Sequence, residues 1–103
     1  MTEKELRNLL RSMGYRVVKM SQLSGESVAV SHISTAFEPL TNSRHEVRKT
    51  FHVYMHVFKE KDLMSRLEEL ALKLLEQLPS GSASVEKTDE SLGRVVLTII
   101  EYN

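Results

Sequence analysis

His52 and His56 stand four residues apart, a spacing that on a helix would place two imidazoles on one metal ion. They fall, however, in a segment that alternates. Over 47–58, Val47, Lys49, Phe51, Val53, Met55 and Val57 share one parity, and Arg48, Thr50, His52, Tyr54, His56 and Phe58 share the other. A period of two is that of an extended strand, on which side chains point up and down in turn. Four residues of strand put the imidazoles about 13 Å apart, whereas a shared metal needs each ligand at about 2 Å. His32 could approach from a neighbouring strand, but the chain has neither an HExxH pattern nor a carboxylate at ligand spacing. No metal and no cofactor are expected. The pair reads as two histidines on a half-exposed face, sensitive to pH near their ordinary titration range.

Other chemistry is equally thin. The serines of Ser80-Gly81-Ser82 sit in a small, flexible stretch, and no G-x-S-x-G elbow strains one into a nucleophile. With four glycines there is neither a Walker pattern nor a G-x-G-x-x-G cradle for phosphates. Glu68, Glu69 and Glu76 belong to a helical stretch and face solvent rather than pairing as acid and base. The chain has no cysteine, which excludes disulfides, thiolate chemistry and Cys-based zinc sites. No catalytic residue is expected, and the protein reads as non-enzymatic.

Nucleic acid is the stronger alternative. Tyr54, Phe58 and Tyr102 could stack bases while Arg44, His45, Arg48 and Lys49 hold phosphates. Against this, fourteen basic residues balance fourteen acidic ones, which leaves no broad positive field. The order of elements is not the βαββαβ of an RRM, and the RRM aromatic signature is absent. Nucleic-acid binding is therefore unlike what the whole chain suggests, and a small nucleic-acid-binding or regulatory domain is the runner-up reading.

The elements that must position these groups fit one domain over 1–103, long enough for a single core. The apolar runs are too short to cross a bilayer, and a charged segment directly after Met1 does not suit a signal peptide. Thr2 and Glu5 have capping-box spacing ahead of a helix that buries Leu6, Leu9, Leu10 and Met13 and stops at Gly14. Lys4, Arg7 and Arg11 line its other side as a solvated face. Short strands follow at 15–20 and 26–34, the second losing its alternation near His32, where a bulge is expected. Residues 35–46, with Pro39, Asn42 and Ser43, read as a long loop and so as a place for partner contact. Its contact residues are Phe37, Leu40, Arg44 and Arg48.

Beyond the 47–58 strand, Asp62 suits the N-cap of a second helix whose stripe is Met64, Leu67, Leu70, Ala71, Leu74, Leu75 and Leu78. Pro79 and Gly81 end it. A hairpin of 83–88 and 94–102 closes the chain. The predicted fold is α+β and two-layered: an antiparallel sheet of about five strands with two helices on one face, in the order α-β-β-β-α-β-β. The second sheet face then carries His52, Tyr54, His56, Phe58, Val96, Ile100 and Tyr102, an apolar and aromatic set that suits an interface.

In this order of elements the chain resembles the tail-terminator, or tail-completion, proteins of long-tailed bacteriophages and prophages. The likeness runs through the first helix with Leu6, Leu9 and Leu10, the paired strands ending near Ser34, the long loop and the strand around Phe51-His52-Val53-Tyr54-Met55. It continues through the leucine-rich second helix and the closing strand Val95-Val96-Leu97-Thr98-Ile99-Ile100. The resemblance implies a structural protein that self-assembles as a homo-oligomeric ring, commonly a hexamer. It implies tail-tube and head-connector proteins as partners, with no membrane, and a location in the cytoplasm of the bacterial host during assembly and then in the virion tail.

Overall fold

In a computed structural model, residues 1–41 and 43–102 are described. Helix α1 spans Glu3–Ser12 and begins with the capping box. The Glu5 amide donates to Thr2 Oγ1 at 3.1 Å, and the Thr2 amide donates to Glu5 Oε1 at 3.0 Å, so two otherwise orphaned donors are satisfied. Gly14 follows with φ +93°, the left-handed stop expected of it.

Strand β1 spans Ser27–Thr41, β2 Arg44–His56, β3 Gly81–Lys87 and β4 Leu92–Tyr102, and helix α2 spans Leu63–Gln77 between β2 and β3. All three pairings are antiparallel, and the sheet order is β1-β2-β4-β3. The parity read from the sequence is the one that folds. Phe51, Val53 and Met55 of β2 and Val95, Leu97 and Ile99 of β4 are buried in one core with Val28 and Val30 of β1. Leu6 and Leu10 of α1 and Leu63, Leu67, Leu70, Ala71 and Leu74 of α2 complete that core, so both helices cover the same sheet face. α1 lies over β1, and α2 over β3 and β4.

Four strands form instead of about five. The segment expected as a strand at 15–20 makes only an isolated parallel bridge, Val17 to Val28. The Val18 amide donates to the Val28 carbonyl, and the Val28 amide to that of Arg16, both at 2.9 Å. A 3-10 turn at Met20–Gln22 then carries the chain away before pairing can propagate. The element order is thus α-β-β-α-β-β.

The expected loop at 35–46 is strand. β1 passes through the bulge near His32, where register shifts between His32 and Ser34, and continues to Thr41; β2 starts at Arg44. Pro39 is compatible with this because β1 is an edge strand, and a second register shift follows between Pro39 and Thr41. Asn42, one of the two residues linking the strands, lies outside those described. β4 accompanies β2 as far as the Glu46–Tyr102 pair, so the distal sheet forms an arm and the molecule measures 51 × 21 × 21 Å.

Two smaller corrections concern α2. A 3-10 turn at Glu60–Asp62 precedes the helix, and Asp62, itself helical in backbone, makes no side-chain capping bond. Leu63 takes a core position, whereas Met64 of the expected stripe is 40% exposed.

Candidate functional site

The open sheet face is built by the outward residues of four strands. Tyr54 stands between Ala29 and Arg94, His52 between Ser31 and Val96, and Arg48 between Ala36 and Ile100, with Thr50 opposite Thr98. Ser84 and Ser82 continue two of these rows onto β3. His52, Tyr54, His56, Val96, Ile100 and Tyr102 therefore share one face. Phe58 lies past the last strand residue and so outside this register. β2 ends at His56, and the Phe58 ring lies against Gly25, where an added Cβ would meet its Cζ at 3.2 Å. The small hydroxylated residues between the larger groups make this face more polar than its aromatic members suggested.

Across the middle runs a chain of polar contacts. Arg94 Nε donates to Glu86, and Arg94 Nη1 to the Tyr54 hydroxyl at 3.4 Å. That hydroxyl lies 3.3 Å from His52 Nδ1, and the two rings meet edge to face at 5.9 Å. The His52 pKa is pushed below the ordinary imidazole range, first by burial and then by the nearby Arg94 charge, with Glu86 opposing in part. The Arg94 guanidinium is held more firmly protonated by its bonds to Tyr54 and Glu86. His56 is anchored separately, its Nδ1–H donating to the Gly25 carbonyl at 2.7 Å. His32 is on the other side of the sheet, stacked on Phe51 at 4.7 Å, so the three histidines do not converge. Among the described residues no three His, Asp or Glu side chains gather as a metal site.

Several large apolar side chains meet water on the arm. Phe37 is 67% exposed, and Ile33 and Leu40 are each 48% exposed. Phe37 pairs with buried Val47 on the helix side of the sheet, above a shallow hollow of about 250 Å³ lined also by Thr35, Lys49 and Glu101. Arg44 is exposed near the tip. Arg48 is on the opposite side of the arm, its Nε donating to the carboxylate of the largely buried Glu46 at 2.7 Å. The four expected contact residues thus share the arm but not one side of it.

One feature escaped the sequence reading. Arg7 and Arg11, expected on a solvated face, line a cleft of about 560 Å³ between α1, the 17–22 segment and β1, together with Lys19, Met20, Val17 and Val30. The available signal was the run 6–25, which holds Arg7, Arg11, Arg16 and Lys19 and no acid.

Among the described residues, no helix is long and apolar enough to cross a membrane. No known protein family matches the chain, and neither a curated protein nor a solved structure does.

Proposed function

We propose that the chain is a non-enzymatic structural protein of a phage or prophage tail, joining copies of itself into a ring at the tail end or head–tail junction. The open sheet face meets another copy, and the arm reaches the tail-tube or head-connector protein. The observation that carries this reading is the arm. A distal sheet that runs out of the helix-covered body and narrows to a strand pair at its tip, bearing exposed Ile33, Phe37 and Leu40, is a costly arrangement for an isolated domain and a useful one for a protein that docks. The edge it presents is also available for pairing, although the bulges at Ile33 and Leu40 restrict that pairing.

Sedimentation velocity across a wide concentration range, with negative-stain images of the largest species, tests the self-joining. Closed rings support the proposal. A monomer at every concentration sinks it. The nucleic-acid alternative is supported by the basic cleft, and it requires tight oligonucleotide binding that the ring reading does not.

A further inference from the structure

Two surface features on opposite flanks of the fold carry complementary charge. The first is the cleft between α1, the 17–22 segment and β1, which has an apolar floor of Val17 and Val30 and a rim of Arg7, Arg11 and Lys19. Its cations are weakly neutralised. Arg7 is 3.5 Å from Glu3, Arg11 donates only to the neutral Asn8 amide oxygen at 3.1 Å, and Lys19 makes no ion pair among the described residues.

The second feature is on α2, beside β3 at the other edge of the sheet. Leu72 is 63% exposed there, above a groove formed with Leu75, Ala83 and Val85. Glu68 and Glu76 stand one helical turn before and after it, on the same side of the helix. Neither makes an ion pair among the described residues, whereas the neighbouring Glu69 is paired with Lys73 at 3.0 Å. An exposed leucine between two unpaired carboxylates is the negative counterpart of an apolar cleft rimmed by unpaired Arg11 and Lys19 and by Arg7, whose ion pair with Glu3 is long.

We infer that the exposed, acid-flanked Leu72 side chain of one copy seats in the basic cleft of the next. Because the sheet order places the cleft and Leu72 on opposite flanks, one chain cannot satisfy both with itself. The contact is therefore heterologous, of the kind that closes into a ring when its rotation allows and extends as a filament otherwise. This inference rests on the self-joining reading and gives it a lateral contact distinct from the open sheet face and the arm. Charge complementarity of this kind sets register and rejects wrong partners.

The test is a charge swap in the full chain, read by sedimentation equilibrium, with circular dichroism as the check on folding. Arg7→Glu with Arg11→Glu, and separately Glu68→Lys with Glu76→Lys, each weaken self-association at least tenfold. Lys19→Glu, which lies outside the helix, weakens it in the same direction without touching α1. All four swaps in one chain restore association, because the pairing is re-created with reversed signs. Leu72→Glu weakens it and is not rescued. If the wild type associates and the paired swaps leave it unchanged, or the fourfold variant is not restored, this contact is wrong and the self-joining reading stands. A wild type that stays monomeric overturns both.

Discussion

Gly93 on β4 lies so close beneath Leu67 of α2 that a Cβ at this position would collide with the Leu67 methyl Cδ1 and stand 2.9 Å from the Glu86 carbonyl oxygen. The closeness matters because Leu67 is fully buried and cannot swing into solvent. Helix, central strand and edge strand are thus held together at one point where a missing side chain is what permits contact. Gly93→Ala is expected to cost about 1–3 kcal/mol, as overpacking of a filled core does. Urea unfolding measures it, and pairing with Leu67→Ala checks the cause. In the double variant the penalties are less than additive, since the cavity left by leucine accepts the new methyl. Full additivity would place the strain elsewhere.

The period-two pattern of 47–58 located β2, and the parity of 95–99 located β4, because burial of one sheet face writes itself directly into alternation. The arm was not legible for the converse reason. Past Ile33 almost every residue of β1 is exposed, so no face had to be apolar, and Pro39 together with Asn42-Ser43 imitated a loop. Val17 and Val18 misled in the opposite sense: two adjacent β-branched residues suggested a strand where only one bridge forms. The open-face residues within β2 and β4 were readable by parity, and Phe58 falls past the end of β2. The basic cleft was not, since α1, the 17–22 segment and β1 come together only in the folded chain.

His52 makes stability fall on mild acidification. Its folded pKa lies below the unfolded value near 6.5, so between the two the unfolded chain binds more protons. The contribution of the neutral ring is fully present above the unfolded pKa. It is lost as pH drops through that value toward the folded one. His52→Gln retains polar atoms but does not titrate, so its stability loses this part of the slope. Chemical denaturation at a series of pH values, wild type against variant, shows the difference; parallel curves would assign the slope to other groups.

The open face can be challenged with Tyr54→Asp and Ile100→Asp together, two half-buried outward positions on β2 and β4. Folding should survive with a loss of about 1–3 kcal/mol, in the range of ordinary substitutions. Ring formation, or joining of tails in a complementation assay, should be abolished, because both carboxylates, even opposite Arg94 and Arg48, must be stripped of water where the face is covered. Unchanged assembly by a folded double variant removes this face from the interface. In that case the lateral contact of Leu72 with the Arg7–Arg11 cleft is left to carry the ring.

Nucleic acid should bind weakly and without sequence preference. The cleft offers Arg7, Arg11 and Lys19, and the start of β2 offers Arg44, with Arg48 already committed to Glu46 and Lys49 to the Met1 carbonyl and Glu101. Three phosphate contacts on a single strand give a slope of about −2 in log affinity against log salt. Binding should therefore fade between low and near-physiological salt. Stacking on Tyr54 would behave differently, adding a salt-resistant component of about 1–3 kcal/mol per base. The geometry disfavours it: the Tyr54 ring is half-buried, with His52 at its edge and the Arg94 guanidinium 6.0 Å from its centre. Fluorescence titration of single-stranded RNA and DNA at two salt concentrations, with wild type, Arg7→Glu/Arg11→Glu and Tyr54→Ala, separates these cases. Weak, salt-sensitive binding that the cleft variant abolishes is the expected result. Tight binding that persists at the higher salt and is lost in Tyr54→Ala would make this a nucleic-acid-binding domain instead.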